Sequence, residues 1–179
     1  MSVRVWDPGV RLLHWGLVSA LLVSWLGSFA VAGVHQGAGY LALAIVLLRL
    51  LWGGIGSRYA RFAQFVRGPR ATWAYLRCVL QRREPRHLGH NPLGACMVLA
   101  LLASVAGLAL TGWLYTTDRF WGDATVEAAH RTLAWGLLVL AVLHVAGVLF
   151  TSRRQRENLI AAMFSGHKPL RSGDDDALG

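Results

Sequence analysis

The chain is predicted to be an all-α integral membrane protein, a four-helix bundle with both termini cytoplasmic and additional helices at the membrane interface. Three observations predict it. The 179 residues are 55% hydrophobic with mean hydropathy +0.43, too apolar for a soluble domain of this size. Four apolar runs have the character of membrane spans. The arginines are concentrated between alternate runs. A net charge of +9 would suggest nucleic acid in a soluble protein, but arginines placed between apolar spans set membrane orientation, so no nucleic-acid partner is expected. Cys78 and Cys96 are too few for a disulfide framework or a thiolate metal site, and C-x-x-C-H is absent.

In chain order, a short basic N-terminus carrying Arg4 and Arg11 leads into the first span, Leu12 to Val34. The run is too long for a signal-peptide core and has no clear small-residue cleavage site, so it reads as a retained helix. A short uncharged turn near His35 opens a second span, about Gly37 to Trp52. Arg49 lies near its end, where it either snorkels to the surface or meets a cofactor carboxylate. Between Arg58 and His90 the chain then carries eight arginines against the single acidic residue Glu84. Inside this loop, Pro69 to Arg83 places Trp73, Leu76 and Leu80 on one helical face, as in a helix lying on the membrane surface; a solvated loop helix is the alternative. The third span, Leu93 to Tyr115, has no charge. An acidic loop with Asp118, Asp123 and Glu127 precedes the fourth, His130 to Thr151. Leu159, Ile160, Met163 and Phe164 suggest a second interfacial helix. Residues 1–168 form one transmembrane domain, and 169–179 form a polar, disordered tail rich in aspartate.

The positive-inside rule places the termini and the arginine-rich loop in the cytoplasm. Each histidine then acquires a depth. His14 enters the first helix from the inner side, and His35 lies at the outer mouth of the second. His130 opens the fourth helix on the outer side. His144 follows it by fourteen residues, about four turns and about 21 Å, on the same face. Taken alone, the fourth helix reads either as a stack of two ligands or as one mouth histidine and one hydrogen-bonded core histidine. The other helices decide between them: His14 matches His144 in depth, and His35 matches His130. Ionisable groups inside a membrane are costly and mark function. A bare metal ion needs more ligands than two imidazoles, and carboxylates and thiolates do not accompany these histidines. Haem iron needs only an axial pair, because the macrocycle supplies four nitrogens. His90, which also enters from the inner side, is a competitor for the inner position. The Asn91-Pro92 step starts a helix after it and leaves it at the surface. His87 and His167 sit in basic polar segments and are expected to be solvated.

Several motifs resemble the bacterial cytochrome b561 family, which includes cytochrome b subunits of nickel-iron hydrogenases. They are Val5-Trp6-Asp7-Pro8 with Arg11 and His14-Trp15, Arg49-Leu50 with Trp52-Gly53, Phe65-Val66-Arg67-Gly68-Pro69, and Leu88-Gly89-His90-Asn91-Pro92. Asn158-Leu159 and Ala162-Met163 with Gly166 resemble the family's C-terminal signature. The likeness spans about residues 3 to 168. It implies four transmembrane helices, two haem b groups, a bacterial inner-membrane location and electron exchange with quinone. Its ligand positions carry over to His14, His35, His130 and His144.

Two functions follow. One is an electron-transfer subunit joining a periplasmic redox protein, a hydrogenase or c-type cytochrome, to quinone. The other is a stand-alone superoxide oxidase that passes electrons to quinone. Arg49 and Arg131 are candidates to hold haem propionates. Superoxide is an anion whose capture favours a cationic funnel, whereas the loop between Tyr115 and His130 carries three acidic residues against Arg119. That composition favours the subunit.

Overall fold

The computed structural model describes residues 1–171; most of the expected disordered tail, from Ser172 to Gly179, lies outside them. Strand β1 (Ser2–Arg4) precedes helices α1 (Pro8–Gly27), α2 (Ala32–Ile55), α3 (Phe62–Phe65), α4 (Pro69–Leu80), α5 (Pro92–Tyr115), α6 (Ala124–Gln155) and α7 (Leu159–Ser165), and strand β2 (His167–Pro169) closes the order. Helices α1, α2, α5 and α6 are long and apolar enough to cross a membrane. The fold is the all-α membrane bundle that the composition predicts.

Helix starts follow local chemistry. Asp7-Pro8 and Asn91-Pro92 each combine an Asx cap with proline in the first turn, where its missing N–H costs nothing. The Asp7 carboxylate accepts from Val10 N–H at 3.0 Å, and the Asn91 side chain accepts from Gly94 N–H at 2.7 Å. Asp123 caps α6 by accepting from Thr125 and Val126 N–H at 2.8 and 2.9 Å. The helix therefore begins six residues before the apolar run that starts at His130.

Helix ends are less ordinary. After α4, Arg82 N–H reaches Val79 O at 3.1 Å and Arg83 N–H reaches Cys78 O at 2.8 Å. After α6, Arg156 N–H reaches Arg153 O at 3.3 Å and Glu157 N–H reaches Ser152 O at 3.0 Å. Both are Schellman closures, which place one residue in the left-handed region and favour glycine there. Here arginine occupies both positions, with φ of 60° at Arg82 and 49° at Arg156. Each costs about 1–2 kcal/mol of backbone strain. Helix α7, by contrast, ends on Gly166 at φ 84°.

The described residues fall into two compact units. The first contains residues 1–11, 51–98 and the chain from His144 onward. In it β1 and β2 pair antiparallel, with Val3 opposite Lys168. Val5 and Trp6 N–H both donate to Gly166 O, at 2.9 and 3.1 Å. Val5, Trp6, Val10, Tyr59, Ala60, Leu88 and Ala162 form the core beneath this pair. The strand pair therefore brings Ser2–Arg4 and His167–Pro169 together. Glu157 is buried here and accepts from Arg86 at 2.5 Å, with Arg171 at 3.6 Å and Lys168 at 3.9 Å. Glu84 receives a two-pronged contact from Arg154, at 2.8 Å for each oxygen.

The second unit, residues 12–50 and 99–143, takes a segment from each of the four long helices. Small side chains such as Ala20, Ala38 and Ala42 are buried in it, while Leu22, Leu47, Val139 and Val142 are exposed. Exposed aliphatic side chains of this kind are what a bilayer covers. Ser104 and Thr111 satisfy their hydroxyls by donating to the carbonyls of Ala100 and Gly107, both at 2.8 Å.

Three sequence expectations need adjustment. The first span does not run to Val34: α1 ends at Gly27, and α2 begins at Ala32. The turn between them, Ser28-Phe29-Ala30-Val31, contains two large apolar residues, so hydropathy carries no mark of the break. It is closed by Val31 N–H to Gly27 O at 2.9 Å, and a side chain at Gly27 would meet His35 N at 2.8 Å. His90 lies just before α5, which starts at Pro92 as the Asn91-Pro92 step predicts, and its ring packs on Trp6 at 4.8 Å and on Phe65 at 4.6 Å. His87 is half-buried against Tyr75 at 5.3 Å, and that burial lowers its pKa. The polar tail was expected from residue 169, yet Pro169 pairs with Ser2 and Leu170 N–H donates to Met1 O at 3.1 Å. Both interfacial segments are helical as expected. Trp73 and Leu80 on α4, and Ile160 and Phe164 on α7, remain exposed.

Candidate cofactor centre

Two of the four candidate histidines come together in the second unit. The imidazoles of His35, in the first turn of α2, and His130, in the second turn of α6, have centroids 6.0 Å apart and planes inclined by 79°. Both are half-buried.

Their outer nitrogens are fixed by partners from neighbouring helices. Nδ1 of His35 lies 2.9 Å from the carbonyl oxygen of Ser24 on α1. A carbonyl only accepts, so this nitrogen carries the proton. The Ser24 hydroxyl donates in turn to the carbonyl of His35 at 3.1 Å. Nδ1 of His130 lies 2.9 Å from the Thr111 hydroxyl on α5. That hydroxyl already donates to Gly107 O at 2.8 Å, so it accepts from His130. Both rings are therefore in the Nδ1–H form, with the Nε2 lone pair available to a metal. Ligating histidines commonly use this arrangement, with the second nitrogen fixed by a hydrogen-bond partner.

The geometry fits an iron atom between the rings. Two imidazoles on one metal, with metal–nitrogen bonds of about 2 Å, have centroids about 6 Å apart. Gly112 keeps the approach open, since a Cβ there would lie 3.2 Å from His130 Cε1. Trp25 and Trp135 pack edge to face nearby on α1 and α6, with centroids 5.5 Å apart.

The remaining candidates are placed differently. His14 is half-buried on α1 in the second unit, edge-on to Trp15 at 4.9 Å. His144 is half-buried on α6 in the first unit. Arg49 is buried, 8% exposed, although it sits inside an apolar span; it does not snorkel out to water. Arg131 has an exposed side chain and pairs with Glu127 one turn earlier. Among the described residues, no group of three or more His, Cys, Asp or Glu side chains is arranged to hold a metal ion. A cofactor bringing its own equatorial ligands is the chemistry this donor set suits.

Ser24, Thr111, Gly27 and Gly112 were not singled out from sequence. The available signal was the hydroxyl residue itself: a polar side chain in an apolar span is costly unless it finds a partner. The motif residues near the N-terminus also have physical roles. Asp7 accepts from Trp52 Nε1 at 3.1 and 3.2 Å and from the Ser57 hydroxyl, joining the first motif to the Trp52-Gly53 motif.

Comparison with known proteins agrees with this donor chemistry. A family model for prokaryotic cytochrome b561 matches residues 5–166. A probable Ni/Fe-hydrogenase B-type cytochrome subunit of Rhizobium leguminosarum bv. viciae is 25% identical, over 97% of this chain and 92% of the relative. The counterpart in Azotobacter vinelandii is 24% identical over 98% and 92%. A probable Ni/Fe-hydrogenase 1 B-type cytochrome subunit of Escherichia coli K12 is 20% identical over 97% and 93%. No solved structure matches the chain at a significant level. With the family pattern matched along almost all of its length and an imidazole pair suited to iron, the chain belongs to the prokaryotic cytochrome b561 family, membrane b-type cytochromes that transfer electrons with haem b.

Proposed function

We propose that this chain is a di-haem electron-transfer subunit, connecting a hydrogenase-type or c-type cytochrome partner at the outer face of the bacterial inner membrane with membrane quinone. His35 and His130 are the proposed axial ligands of one haem. His14 and His144 are the proposed ligands of a second, because span order and residue count put them at a common depth nearer the chain ends. Haem b would supply a one-electron couple, and a pair of imidazoles holding it would favour electron transfer over substrate binding. The single observation carrying this reading is the 6.0 Å separation of two imidazoles whose Nδ1 atoms are both committed elsewhere.

The protein's own groups supply the rest. Ser24 and Thr111 hold the two rings in one tautomer and orientation. Buried Arg49 is the proposed partner of a propionate, where a bidentate contact would stabilise the carboxylate. Arg131 serves a propionate only by exchanging its contact with Glu127. The names of the relatives support a hydrogenase as the partner.

The alternative class, a superoxide oxidase, fits the acidic loop less well. Asp118, Asp123 and Glu127 face Arg119 and Arg131, and Arg131 is already paired. A surface of that composition suits docking to a basic or mixed protein patch. Stopped-flow mixing of the oxidised, haem-loaded protein with superoxide tests the choice. Slow haem reduction with weak salt dependence is expected. Fast reduction that collapses with added salt would reverse the assignment in favour of the oxidase.

A further inference from the structure

We propose that Trp121, on the loop between α5 and α6, is the anchor on which a redox partner docks, and that this partner surrounds its own redox centre with lysines or arginines. The inference rests on the electron-transfer reading above and names the surface which that reading uses. The loop, residues 116–123, lies wholly within the second unit together with His130.

Exposure on an ordered segment is the first argument. Trp121 is 74% exposed. Yet the loop carrying it is built from two successive turns, closed by Phe120 N–H to Thr117 O at 3.1 Å and Asp123 N–H to Phe120 O at 3.0 Å. The Thr117 hydroxyl donates to Leu114 O at 2.6 Å, and Gly122, at φ 75°, turns the chain so that Asp123 caps α6. The indole stacks on Tyr115, with centroids 6.2 Å apart and planes inclined by 27°. A large ring held in place before a partner arrives binds with little ordering cost. Tryptophan is among the residues most enriched where binding energy concentrates.

Position relative to His130 is the second argument. The Thr111 hydroxyl is 2.9 Å from His130 Nδ1, and a Cβ at Gly112 would lie 3.2 Å from its Cε1. Tyr115 is four and three residues beyond them on α5, so it shares their face, one turn nearer the loop. The Tyr115–Trp121 stack therefore leads from the level of the proposed haem ligand to the surface. One electron leaves one redox centre and arrives at the other; no bond breaks and neither ring is oxidised. The stack only narrows the gap between the two centres.

Charge selects the occupant. Asp118 and Asp123 flank Trp121 in the loop, and Glu127 follows in the first turn of α6. Arg119 lies over the Phe120 ring at 5.4 Å, and Arg131 is paired with Glu127. An aromatic anchor among carboxylates suits a partner with a basic rim. Tryptophans also anchor spans at the bilayer interface, but carboxylates beside such an anchor would meet anionic headgroups of like charge.

The test is stopped-flow oxidation of the dithionite-reduced, haem-loaded, full-length protein by a basic ferric c-type cytochrome in neutral detergent. Wild type, W121A and D118K are compared at several ionic strengths. W121A should react about tenfold more slowly, the loss of one dominant contact. D118K should be slower at low salt and should lose most of the wild-type decline in rate with added salt. Haem content and oxidation by a short-chain quinone should be unchanged in both, which excludes misfolding. W121A reacting as fast as wild type, or a wild-type rate insensitive to salt, overturns the proposal. If, in addition, brominated lipid quenches the fluorescence that W121A removes, Trp121 is a bilayer anchor and not a docking site. H130A separates this outcome from the reading beneath it. If H130A keeps its full haem content, the ligand assignment fails; if it loses one haem while W121A reacts normally, only the docking anchor falls.

Discussion

Nδ1 of His35 and the carbonyl oxygen of Ser24 lie 2.9 Å apart across the four-residue turn that joins α1 to α2. The turn thus does two things: it reverses the chain and sets which nitrogen of His35 is free. If that nitrogen holds iron, H35A or H130A should remove one haem and leave the other's spectrum largely intact. H14A or H144A should remove the other. Pyridine haemochrome assays should give two haems per chain for wild type and one for each variant. Acid-acetone should extract all of the haem. A wild-type ratio near one would remove the second site from the proposal.

Thr111 offers a finer probe. T111V keeps the volume and deletes the acceptor for His130 Nδ1–H. Second-shell losses of this type typically weaken metal binding by about 10–100-fold. The lost hydrogen bond also makes the imidazole a poorer electron donor, which disfavours the ferric state. The midpoint potential of one haem should rise, by about 59 mV for each tenfold difference between ferric and ferrous binding. Redox titration of the variant checks this; a fall in potential would contradict the assigned tautomer.

Much of this site was legible in the sequence, and the illegible part has physical causes. Histidines stand out in apolar spans, and counting turns along α6 gives their depths. His35 was placed at the mouth of helix two, where the structure has it in the first turn, but the helix boundary was missed because Phe29 and Val31 make the turn as apolar as the spans around it. Ser24 and Thr111 were missed because hydroxyls in spans commonly bond to their own helix, and only the assembled fold shows that these two also reach histidines. The β1–β2 pair was illegible for a different reason. Three-residue strands separated by most of the chain carry no periodicity, and their pairing depends on Gly166 turning the chain.

Asp7 gives a pH prediction. Burial pushes its carboxyl upward, but hydrogen bonds from Ser57, Val10 N–H and Trp52 outweigh this and hold it below the ordinary value of 3.8. A carboxyl depressed in the folded state contributes stability that is fully present above the unfolded pKa, about 3.9, and is lost as pH falls through the lower folded value. Thermal melts should show wild-type stability falling below about pH 4, whereas D7N should show a flatter acid limb. At neutral pH D7N should be less stable by roughly 1–3 kcal/mol, because its amide turns a donor toward Trp52 or Ser57. An unchanged acid limb in D7N would show that Asp7 carries no such linkage.

The arginines at the two helix ends give a prediction of opposite sign. R156G removes a left-handed non-glycine residue whose backbone N–H and C=O contacts remain. It should stabilise the protein by about 0.5–1 kcal/mol, the strain relieved less the entropy of the new glycine. Chemical denaturation of wild type and R156G, compared at equal haem content, measures it. Destabilisation would mean that the side chain contributes more than the turn costs.

The pairing of Ser2–Arg4 with His167–Pro169 also has a consequence for biogenesis. The first strand leaves the ribosome about 160 residues before its partner, an interval of roughly ten to thirty seconds at ordinary rates of synthesis. During that time Val5 and Trp6 have neither Gly166 nor the residues around Ala162 to cover them. All four spans can enter the bilayer while the structure at the chain ends is still open. Its closure waits for His167–Pro169 to emerge, so truncation before His167 would yield an inserted protein that is never finished.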